Sequence, residues 1–149
     1  MGLSQSTEAA PKDADAFDLV LDIAVDEHAI APEYSSSGSA AFSIFAPQDL
    51  TVSSDSWTFV RTGLTFRLPF MLVVSISSCK PCLAVHSTLV DCDDDDKEVV
   101  LPLLYQASGQ RGDGPQQITV RRGEPIAWGL VLPIARPGFR LYTPQAERV

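Results

Sequence analysis

The feature that most constrains this chain is the shortness of its apolar runs. From residue 17 to residue 133, segments of four to nine residues rich in Val, Ile, Leu, Thr and Phe are separated by clusters of Ser, Gly, Pro and Asp. Runs of that length suit β-strands, and no stretch holds a helical apolar period long enough to compete. The pattern predicts strands over Phe17–Val25, Ala40–Ala46, Leu50–Ser53, Trp57–Thr62, Leu64–Leu68, Phe70–Ser77, Leu83–Val90, Val99–Tyr105, Gln117–Arg122 and Ile126–Pro133. Between them Ser36-Ser37-Gly38, Thr62-Gly63, Ser108-Gly109 and Arg122-Gly123 supply residues that tolerate turn geometry. The expectation is an all-β barrel or jelly roll of about ten short strands.

A chain of 149 residues suits one core. Residues 1–15 are polar and acidic and read as an arm; residues 16–135 are expected to form the barrel. Residues 136–149, led by Arg136-Pro137-Gly138, read as a second arm that needs another surface to lie on. No apolar run reaches the roughly 20 residues of a membrane-spanning helix. The start MGLSQSTEAAPKDADAF has no signal-peptide core, and three cysteines are too few for a disulfide framework, so a reducing, intracellular setting is expected. Net charge is −8, with 5 basic against 16 acidic side chains in residues 1–110 and the balance reversed afterwards by six arginines facing three acids. A mainly acidic surface repels a phosphate backbone, which argues against a nucleic-acid partner.

The order of the segments resembles the dUTPase family. APEYSSSGSAAFSIFAPQDLTVSSDSWTFVRTGLTFRLP, from Ala31 to Pro69, is similar to the family's opening strand, turn and hairpin. LVDCDDDDKEVVLPLLY is similar to its third conserved segment, and ITVRRGEPIAWGLVLP to its fourth. The resemblance implies a dUTPase-like β-barrel, and an activity that cuts dUTP to dUMP and diphosphate with Mg²⁺ at sites built from three subunits. A metal to neutralise the triphosphate and a carboxylate to orient water are what such a displacement needs.

Position by position, the resemblance implies that little of that machinery remains. Ser43 stands where the family's metal-organising aspartate belongs, and VSISSCKPCLAV holds no arginine where a phosphate-contacting loop belongs. Asp91 matches the aspartate that orients water. Its neighbouring tyrosine is replaced within Asp93–Asp96, a run of carboxylates that repels phosphate. Trp128 stands for a phosphate-binding glutamine. Only Arg136 and Arg140 echo the arm that closes over nucleotide. Relatives that keep the barrel and lose the site occur in adenoviruses and herpesviruses as binding or regulatory proteins. The expected function is therefore that of a noncatalytic viral protein acting through host or viral protein partners in host cytoplasm or nucleus, with a homotrimer as the implied assembly. A divergent nucleotide hydrolase using Asp91 and Mg²⁺, and a virion assembly protein, are the alternatives.

Three further signals are short. Cys79, Cys82, His86 and Cys92 have the composition of a tetrahedral Zn²⁺ site, set against the ordinary reading of buried cysteines and a satisfied histidine. Met-Gly-Leu-Ser-Gln-Ser fits a myristoylation pattern at Gly2, which alone anchors a chain only weakly to membrane. Glu147-Arg148-Val149 could add as a strand to a PDZ groove.

Overall fold

The computed structural model describes residues 19–107, 114 and 116–145. The strands in chain order are β1 (Asp22–Val25), β2 (Glu33–Tyr34), β3 (Phe42–Phe45), β4 (Leu50–Ser53), β5 (Thr58–Arg61), β6 (Leu64–Arg67), β7 (Leu72–Ser77), β8 (Leu83–Val85), β9 (Thr88–Val90), β10 (Val100–Tyr105), β11 (Gln117–Val120) and β12 (Pro125–Pro133). The one helical piece among the described residues is a single 3₁₀ turn, Cys92–Asp94. No helix among them is long and apolar enough to cross a membrane.

Among the described residues four antiparallel sheets result: β2-β3-β12-β7-β9, β5-β10-β8, β1-β6 and β11-β4. Alternation decides what each strand buries, because successive side chains leave opposite faces. Phe42 and Ile44 of β3, Val74 and Ile76 of β7, Val60 of β5, and Leu101 and Leu103 of β10 all enter one core. Leu64, Phe66, Val52 and Ile126 complete it, each fully buried.

Two turns show how polar and glycine residues hold these sheets in register. Between β5 and β6, Gly63 adopts a left-handed φ of 71°, which costs other residues more. Beside it the buried Thr62 hydroxyl donates to the Val99 carbonyl at 2.7 Å and accepts from the Leu64 N–H at 3.2 Å. Before β4, the Asp49 carboxylate accepts from the Arg122 N–H at 2.9 Å, and Arg121 donates to it at 3.3 Å. The Arg122 bond first, and Arg121 after it, hold that carboxyl below its usual range.

The structure differs from the sequence reading at three strands. The single strand expected over Leu83–Val90 is two, in different sheets: β8 pairs with β10 and β9 with β7. The inward positions are Leu83 and Val85, then Thr88 and Val90, so the parity shifts by one across His86-Ser87 and the chain must turn there. The His86 N–H still bonds the Pro102 carbonyl at 3.0 Å, and the Thr88 hydroxyl bonds the His86 carbonyl at 3.0 Å, which closes the corner. The first strand covers only Asp22–Val25, set by pairing with Leu64–Arg67; Phe17 and Asp18 lie outside the described residues. The two-residue β2 is absent from the strands expected from periodicity, since Glu33-Tyr34 is too short to show alternation, and it falls where the dUTPase resemblance implied an opening strand.

β12 is the longest strand, and a Cβ at Gly129 would overlap the Phe42 ring packed beneath it. Gly129→Ala is expected to cost about 1–3 kcal/mol through overpacking. A lowered urea midpoint with an unchanged slope would show it.

Candidate functional site

The outward face of the five-stranded sheet brings together residues from distant parts of the chain. Because Phe42 and Ile44 point inward, Ser43 points out. The register sets Glu33 opposite Ser43, Ser43 opposite Trp128, and Trp128 opposite Ser77. Glu33, Ser43, Trp128 and Ser77 thus form one row across four strands, at the roughly 4.8 Å spacing of a sheet. The flanking serines are too small to cover the indole, and Trp128 is 48% exposed. Farther along the same face stand Leu130, Leu132, Ser75 and Leu89, of which Leu132 and Leu89 are exposed.

This row contains the positions where the sequence reading placed the family's metal-organising and phosphate-binding groups. Its donor set is two hydroxyls, an indole and one edge carboxylate, Glu33. A Mg²⁺ ion takes carboxylate oxygens plus substrate phosphates, and a triphosphate needs cations, so the row fits neither. Lys80, the cation that follows β7, is 3.4 Å from Glu124 in an ion pair.

Asp91 sits elsewhere. β9 pairs with β7 through Val74 and Val90, so Asp91 follows at the level of Val73, four residues and roughly 13 Å along the strand from Ser77. Its carboxylate accepts from the Asp93 N–H at 2.9 Å, while the Asp94 carboxylate accepts from the Asp91 N–H at 3.0 Å. The pair is a reciprocal cap for the 3₁₀ turn. Asp95 accepts from the Leu68 N–H at 3.4 Å, and Asp96 takes a left-handed φ of 69°. The carboxylate run is thus a tight self-bonded loop laid against the end of β6.

The two arginines separate. Arg136 stands 5.8 Å over the Phe70 ring and donates toward the Cys92 sulfur at 3.9 Å, next to the Asp91 loop. Arg140 is exposed and has no ion pair among the described residues. Gly2, Glu147, Arg148 and Val149 lie outside the described residues, as does the expected arm over residues 1–15.

The four residues with zinc-site composition are not gathered. Among the described residues no three His, Cys, Asp or Glu side chains converge on a point that could hold a metal. The corner at His86-Ser87 is the reason: Cys82 packs against the core, His86 turns to the outer face of the β5-β10-β8 sheet and meets Trp57, and Cys92 lies beyond β9 beside Arg136. Burial pushes the Cys79 thiol up, which disfavours the thiolate a zinc ion needs. Cys79 is therefore expected to alkylate more slowly with iodoacetamide in the folded protein at pH 8 than after unfolding. Mass spectrometry of the labelled peptides measures the difference.

Sequence reading missed Ser77 and Glu33 as members of the row, and missed Trp57, Phe59 and His86 as exposed aromatic groups on the β5-β10-β8 sheet. The available signal was β10, Val-Leu-Pro-Leu-Leu-Tyr, which is apolar at both parities.

Compared with known families and with curated proteins, the sequence matches none. Solved structures do match. A dUTPase from phage phi11 of S. aureus, described for its coordination of a structural Mg(II) ion, superposes with a TM-score of 0.69 at 15% identity, over 83% of this chain and 97% of its own. The dUTPase of Staphylococcus bacteriophage 80alpha, described as controlling transfer of virulence genes by a proto-oncogenic G protein-like mechanism, gives 0.69 at 13% identity over 86% and 99%. The same phage enzyme with dUPNHPP gives 0.68 at 14% over 83% and 88%.

Proposed function

We propose that this chain, which has the dUTPase-like all-β fold, works through protein contacts and does not turn over dUTP. One observation carries the proposal: the row Ser43–Trp128–Ser77 offers an exposed indole between two hydroxyls where a phosphate grip needs charge. A face of apolar groups and serines, with Leu89 and Leu132 exposed farther along it from Trp128, suits a protein partner better than a magnesium nucleotide.

The Asp91 loop supports the same reading. The Asp91 carboxylate is already bonded within its own turn, and the neighbouring Asp93–Asp96 run would repel an incoming triphosphate. The 80alpha phage protein, described as controlling gene transfer, supports the idea that this fold can carry a regulatory task. The proposed partners are host or viral proteins, with a homotrimer as the working form.

Purified protein with Mg²⁺ and dUTP is expected to release no diphosphate above buffer, and Asp91→Asn is expected to change only stability. Asn keeps an oxygen that accepts the Asp93 N–H and caps about as well as Asp, so the stability cost should stay within about 0.5 kcal/mol. Diphosphate release that disappears in Asp91→Asn would establish the hydrolase instead. A solution mass three times that of the chain is expected from light scattering.

A further inference from the structure

We draw no further inference here: the strongest candidate, the segment that follows β12 and exposes Phe139, Leu141 and Tyr142, carries nothing because nothing in the structure shows which surface covers it.

Discussion

The rest of the structure depends on β12 being shared. Its nine residues pair with β3 on one side and β7 on the other, so the chain's first half and its last strand close around a single core. The approach works because Gly129 lets the Phe42 ring lie against the strand, while Phe42 in turn touches Phe66, with ring centroids 6.0 Å apart. A shift of one residue in this pairing would turn Ile126 and Trp128 to the wrong faces. Sheet register and surface chemistry are thus one decision, and Trp128 can only point outward between Ser43 and Ser77.

That outward row shows how surface chemistry can vary on a fixed barrel. The inward parity of β3, β7 and β12 is constrained by core packing, and the outward parity is not. Hydroxyls and an indole stand on the outer face while Ile44, Ile76 and Ala127 pack beneath. The carboxylates from Asp91 to Asp96 are engaged in shaping a loop, with Asp91 and Asp94 capping each other. The fold and the chemistry of its surface are therefore separable quantities.

Much of this was legible in the sequence, for physical reasons. Strands with one buried face and clear breaks, such as Leu50–Ser53, Leu64–Arg67 and Gln117–Val120, show themselves through alternation and turn residues. The split at His86-Ser87 was not legible, because an apolar run on each side reads as one strand until the parity shift is noticed. The positions Ser43, Asp91 and Trp128 could be named from the resemblance, but their arrangement could not. Only the register brings Ser43 and Trp128 together and leaves Asp91 far along the sheet. The exposed rings on the β5-β10-β8 sheet were missed because Trp57 and Phe59 read as ordinary strand residues until Leu101 and Leu103 are seen to claim the core side.

With hydroxyls and an indole in place of charge, the Ser43–Trp128–Ser77 row is proposed not to hold a magnesium triphosphate. Isothermal titration of the protein with Mg²⁺ and the non-hydrolysable analogue dUPNHPP tests it most directly. No saturable heat is expected, whereas saturable binding that is lost in Trp128→Ala would contradict the account.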